Sequence, residues 1–97
     1  MQKTSKHDTF VEDLYARIQG EYDYFLRHIP LISSRGRLVG EIDLVGVWGE
    51  RVDIFEVKCS FRIIKARRQL QKIRKYIGKN AGYYFYCGTS KTIECIT

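Results

Sequence analysis

Gly40-Glu41-Ile42-Asp43-Leu44-Val45-Gly46 and, a few residues on, Asp53-Ile54-Phe55-Glu56-Val57-Lys58-Cys59 form the stretch on which the reading of this 97-residue chain turns. Both runs are rich in branched and aromatic residues, and Gly49-Glu50 between them reads as a tight connection. The pair is therefore a hairpin of strands at roughly 38–48 and 51–59. Side chains alternate along a strand, so Glu56 and Lys58 share a face on either side of an inward Val57. Asp43, on the neighbouring strand, can bring its carboxylate against that of Glu56. Two carboxylates side by side in an apolar setting repel each other and lose hydration. A hard divalent cation removes that penalty, and Mg²⁺ favours a couple of carboxylates with water and phosphate in its other positions. Lys58, beside them, can position a water or stabilise charge developing on phosphorus. The competing reading is a surface ion pair between Lys58 and either acid. The Ile, Leu, Val and Phe around the three charges weigh against it, because charge in a central strand needs a reason.

Working outward, the apolar positions Val11, Leu14, Tyr15 and Ile18 predict a helix from about Asp8 to Gln19, stopped by Gly20. Residues 1–7 read as a frayed leader that includes His7. A strand at roughly 22–33 joins the hairpin through Ser34-Arg35-Gly36-Arg37, giving an antiparallel meander. Ile63, Ala66, Leu70, Ile73 and Ile77 recur at three and four residues and predict a second helix over about 62–77 with one buried stripe. Two more strands, about 83–87 and 91–96, turn through Gly88-Thr89-Ser90. The expected architecture is one α/β domain over 1–97, a mixed central sheet flanked by helices in the order αβββαββ.

The formal charge of +6 is unevenly spread. Residues 1–58 hold eight Lys/Arg against ten Asp/Glu, whereas residues 59–97 hold nine against Glu94 alone. Arg62, Lys65, Arg67, Arg68, Lys72, Arg74 and Lys75 crowd the second helix with no acid within it to pair them. Such a face favours a polyanion through phosphate neutralisation and counterion release. Arg35 and Arg37, at the first hairpin tip, can also reach a nucleic-acid backbone. No run approaches the roughly 20 apolar residues that span a bilayer, and no apolar face is free to insert into one. Membrane association is therefore not expected. Cys59, Cys87 and Cys95 lack zinc-knuckle spacing and read as buried, reduced thiols of a cytoplasmic protein. The tyrosines Tyr22, Tyr24, Tyr83, Tyr84 and Tyr86 can stack on bases but fit a core better.

An Asp in Ile-Asp-Leu-Val, a hairpin, and then Glu-Val-Lys closing the next strand resembles the PD-(D/E)xK nuclease superfamily, nearest in layout to its small Holliday-junction resolvases and RecB-like members. The resemblance covers nearly the whole chain and implies a restriction-endonuclease-like fold. It also implies Mg²⁺-dependent phosphodiester hydrolysis, with Mn²⁺ able to substitute. Asp43 and Glu56 would be metal ligands, the backbone carbonyl of Val57 a further ligand, and Lys58 the catalytic lysine. Ile42 stands where the nominal motif has proline.

Members of the superfamily often add a first-helix glutamate, which Glu12 matches, with Glu21 in reserve. Against Glu12 stands a capping box, Thr9-x-x-Glu12; Ser5-x-x-Asp8 offers a competing helix start that would free it. Gln69 matches a glutamine of RecB-like nucleases, although their following tyrosine is Ile73 in this chain. Glu41 shares the face of Asp43 and can support it from behind, although an exposed strand end is the favoured reading, and His28 is a weaker candidate for a base. A chain this short has little surface for reading bases, so structure-selective cutting of DNA at junctions, flaps or ends is expected over sequence-specific cutting. A homodimer would bury more surface. The alternatives are a non-catalytic nucleic-acid-binding module on the same fold, and a toxin domain that cuts RNA.

Overall fold

The computed structural model describes residues 5–96. They form α1 (Lys6–Ile18), a 3₁₀ turn (Gln19–Glu21), β1 (Tyr24–Ile32), β2 (Leu38–Trp48), β3 (Arg51–Lys58), α2 (Ile63–Ile77), β4 (Gly82–Cys87) and β5 (Thr92–Cys95). This is the expected α/β order, assembled as one mixed sheet with strand order β1-β2-β3-β4-β5. The pairs β1–β2, β2–β3 and β4–β5 are antiparallel. The β3–β4 pair is parallel, because α2 carries the chain back to the edge where β3 began.

Each helix buries one stripe on one face of the sheet. Val11, Leu14 and Ile18 of α1 pack on Leu44, Phe55, Val57 and Tyr86. Ala66, Leu70 and Ile73 of α2 pack on Val45, Ile54, Tyr83 and Phe85 of the other face. Burying each large side chain contributes about 1.5–3 kcal/mol. The predicted α2 stripe is too long at its C-terminal end, where Ile77 is exposed.

Helix α1 starts two residues earlier than the hydrophobic spacing indicates. Ser5 is its N-cap, with Oγ accepting from Asp8 N at 3.0 Å. Thr9, the rival cap, instead donates from Oγ1 to the Ser5 carbonyl. His7 therefore belongs to the first turn of α1 and not to a frayed leader; positions 1–4 of that leader lie outside the described residues. At the other end, Tyr22 folds over Gly46, where a Cβ would come within 2.7 Å of its ring, and its hydroxyl donates to buried Asp53 at 2.5 Å. The thiol expectation holds for Cys87 alone. Cys59 follows the end of β3 and is half-buried, while Cys95 is exposed, and all three are free.

The β1–β2 pair changes face partway along. Phe25 belongs to the α1-side cluster and Ile29 to the α2 side, though both are odd positions. On β2, Leu44 and Ile42 differ in the same way. The switch falls at His28, whose φ is +51°, in the left-handed region that non-glycine residues occupy at a cost of roughly 1–3 kcal/mol. Arg27↔Leu44 and Ile29↔Ile42 set His28 opposite Asp43. Pairing of β2 with β3 also stops at Leu44↔Phe55. The sheet thus splits at the level where Asp43 and Glu56 face each other.

Candidate active site

Splitting the sheet frees the Val57 N–H and C=O, which would otherwise be ladder groups. The N–H donates to Asp43 Oδ2 at 2.8 Å, so the carboxylate substitutes for a missing strand. The Val57 carbonyl accepts from His7 Nε2 at 3.0 Å, and the same nitrogen lies 3.3 Å from Asp43 Oδ2. Around these atoms Asp43 is 5% and Glu56 3% exposed. Glu56 Oε1 pairs with Lys58 Nζ at 3.2 Å, while Glu56 Oε2 is buried with no hydrogen-bond partner. Burial, then the neighbouring Asp43 carboxylate, pushes the Glu56 carboxyl up to about 8 against partial relief from Lys58. Its neighbours at 54 and 55 belong to the α2-side and α1-side clusters, so Glu56 and Lys58 lie on the α2 side of β3.

A cation fits this donor set. Two buried carboxylates, one of them with an orphaned oxygen, and a carbonyl outside the strand ladder supply several hard donors, with one lysine to offset them. His7 Nε2 lies against both the Val57 carbonyl and Asp43 Oδ2, where positive charge is called for. Asp43, Glu56 and the Val57 carbonyl could hold a divalent ion, with His7 beside them. Next to them, ligand atoms of His28, Glu41 and Asp43 lie within 4.8 Å of one another, with His28 Nδ1 3.3 Å from Glu41 Oε1. This second cluster is the more exposed of the two.

The other candidates divide. Gln69 lies at the edge of the α2 stripe with its Oε1 buried and unpartnered. Glu12 is paired with Arg27: its exposed carboxylate takes two hydrogen bonds from that guanidinium, at 2.6 and 3.1 Å. The earlier helix start did free Glu12, but Arg27 on β1 claims it. Glu21 lies in the turn beyond the far end of α1, about 20 Å of helix away from His7. Sequence reading missed His7. The signal was present, because positions 7, 11, 14 and 18 fall on one helical face. We expect His7→Ala to weaken Mn²⁺ binding about 10- to 100-fold by calorimetry, and Glu12→Gln to change it by less than about twofold.

The cationic residues stand where a long polyanion can reach them. Arg62, Lys65, Arg67, Arg68, Lys72 and Lys75 are exposed, and none is ion-paired to a described residue. Arg35 and Arg37 lie at the β1–β2 tip, where Gly36 takes φ +79°. From Leu38 to Asp43 is five residues of strand, so the tip projects roughly 17 Å past the carboxylates. Of the five tyrosines considered for base stacking, Tyr83 and Tyr86 are buried, Tyr22 and Tyr84 half-buried, and Tyr24 exposed. Among the described residues, no helix is long and apolar enough to cross a membrane.

The fold is one found in DNA repair endonucleases. A repair endonuclease from Pyrococcus abyssi superposes with a TM-score of 0.54 at 14% identity, over 90% of this chain and 40% of that one. EndoMS, in a complex with dsDNA, gives 0.50 at 14% identity, over 89% of this chain and 37% of the other. The chain thus spans about two fifths of the length of each, and at this identity the likeness is one of fold. No family model and no curated relative matches the chain.

Proposed function

We propose that this chain is a metal-dependent nuclease of PD-(D/E)xK type that hydrolyses DNA phosphodiester bonds with Mg²⁺, Mn²⁺ substituting. The observation that carries the reading is the buried carboxylate pair, with the partnerless Glu56 Oε2 on one side and the Lys58 ammonium 3.2 Å away on the other. Asp43, Glu56 and the Val57 carbonyl are the groups that would hold the ion. When bound, it would supply charge neutralisation on the phosphate and a lowered pKa for water.

The chain's own groups do the remaining work. Lys58, held by Glu56, orients the attacking water and stabilises the charge that builds on the phosphate oxygens. His7 keeps the Val57 carbonyl turned toward Asp43. Gln69 offers a neutral dipole toward the same space. The cations of α2 and of the hairpin tip hold the backbone on either side, contacts that position a nucleic acid without reading sequence. Cutting selected by the structure of the DNA, in an intracellular homodimer, completes the reading. The nuclease and nucleic-acid parts of the reading are supported by the fold shared with a repair endonuclease and with EndoMS, the latter seen with dsDNA.

The test is cleavage of labelled four-way junction, flap, duplex, single-stranded DNA and RNA with Mg²⁺ or Mn²⁺. Lys58→Met is expected to cut about 10²-fold more slowly, and EDTA to abolish cutting. Tight binding with no cutting of any substrate, by wild type or variant, would leave a binding module on the same fold. Cutting confined to RNA would leave the toxin reading.

A further inference from the structure

The link from β3 to α2 opens a cleft of about 500 Å³ that the catalytic reading does not use, lined by Phe61, Arg62, Ile63, Ile64, Lys65 and Arg68. Its apolar part is exposed to a degree unusual for such side chains, 53% for Phe61 and 64% for Ile64. The rest of its wall is cationic, and no acid lines it. We propose that this cleft is a stacking platform for an unpaired nucleobase of the bound nucleic acid, next to the bond that is cut. The proposal rests on the nucleic-acid reading above and deepens it, because it names the feature of the substrate that is recognised.

Phe61 is a fixed surface. Its ring lies with its centroid 5.6 Å from that of fully buried Phe85. The chain leading to it is pinned by Gly88 N donating to the Lys58 carbonyl at 2.8 Å and Thr89 N donating to the Cys59 carbonyl at 3.1 Å. Phe85 is the register partner of Glu56, so Phe61 overlies the face of the sheet that carries Glu56 and Lys58. Two residues, Cys59 and Ser60, separate it from Lys58, three steps of chain that span at most about 11 Å when extended.

The wall chemistry selects the occupant. Arg62, Lys65 and Arg68 call for phosphates, while Phe61 and Ile64 call for a flat apolar face. Bases within a duplex hide those faces by stacking, whereas unpaired bases present them, and stacking on an aromatic side chain tolerates any base. A second copy of the chain fits poorly, since two cationic rims on a protein of net charge +6 would meet.

Binding can be measured in EDTA, so that cleavage plays no part. The probes are a fluorescent oligo(dT) strand, a blunt duplex, and the same duplex with a short single-stranded overhang. Phe61→Ala is expected to weaken binding of the strand and the overhang about 5- to 30-fold and to leave the blunt duplex within twofold. Phe61→Leu, which keeps apolar contact with Phe85, is expected to lose nearly as much, and Phe61→Trp to bind as wild type. Equal binding by Phe61→Leu and wild type, or an equal loss on all three probes, overturns the platform. So does a monomer–dimer shift of Phe61→Ala in sedimentation, which would assign the face to a second copy. Absent cleavage with this preference intact would sink the nuclease alone; cleavage with no Phe61 dependence of binding would sink the platform alone.

Discussion

Asp43→Asn is expected to lower the cleavage rate on the order of 10³-fold or more while raising the melting temperature of the metal-free protein. The two effects have one origin. Asparagine keeps the volume and an oxygen that can accept from Val57 N, now 2.8 Å from Asp43 Oδ2, so the backbone stays in place. What is lost is a negative charge. With metal and substrate present, that charge is part of the cation's binding energy, and removing several kcal/mol of charge stabilisation slows the reaction by about tenfold for each 1.4 kcal/mol. Without metal, the same charge lies against buried Glu56 and destabilises the fold. Relief on the order of 1 kcal/mol corresponds to a rise of about 4–8 °C for a domain of this size. Parallel cleavage assays and thermal melts in EDTA check both halves. A variant that is inactive and also less stable than wild type would mean that Asp43 serves the fold and not a charge centre.

The second large effect concerns pH. Burial and Asp43 lift the Glu56 carboxyl from its ordinary 4.5 to about 8. Between those values the folded state holds a proton that the unfolded chain releases, so ν_N exceeds ν_U and stability falls as pH rises. The contribution is complete below about pH 4.5 and gone above about pH 8. In EDTA, wild type should therefore melt lower at pH 8 than at pH 5.5, by about 4–8 °C for each kcal/mol involved. Glu56→Gln should remove most of that slope. The remaining ionisable groups are common to both proteins, so the difference between them isolates Glu56. Added Mn²⁺ should raise the melting temperature more at pH 8 than at pH 5.5, because proton and cation compete for one carboxylate. A slope equal in the two proteins would show that Glu56 is already ionised when the protein folds without metal.

The element order and the clustering of Asp43, Glu56 and Lys58 were legible because each rests on short-range pattern. A 3.6-residue period marks α2, a twofold period marks β3, and charge placed among Ile, Val and Phe is visible without coordinates. What escaped depends on choices that local pattern leaves open. Two capping motifs follow one another, Ser5-x-x-Asp8 and Thr9-x-x-Glu12, and only the hydrogen bond that Ser5 accepts from Asp8 N decides between them. That choice adds one turn and carries His7 to the Val57 carbonyl. Glu12 was placed on a plausible face, but periodicity says nothing of the partner across the gap, and Arg27 takes it. The face switch at His28 was beyond reach, since a left-handed residue inside a strand leaves no mark on the sequence that would distinguish it from an extended one.

The contact between His7 and Val57 joins segments 50 residues apart, more than half the length of the chain. Hairpins such as β2–β3 close short loops and can form early, whereas a contact of this span waits until the intervening strands are in place. A chain still emerging or half-folded would carry the basic α2 helix and could cling to a polyanion, yet it would lack the assembled cluster of His7, Asp43, Glu56 and the freed carbonyl. On the nuclease reading proposed above, the site would be assembled late in folding, and incomplete copies of the protein would bind a polyanion before they could cut it.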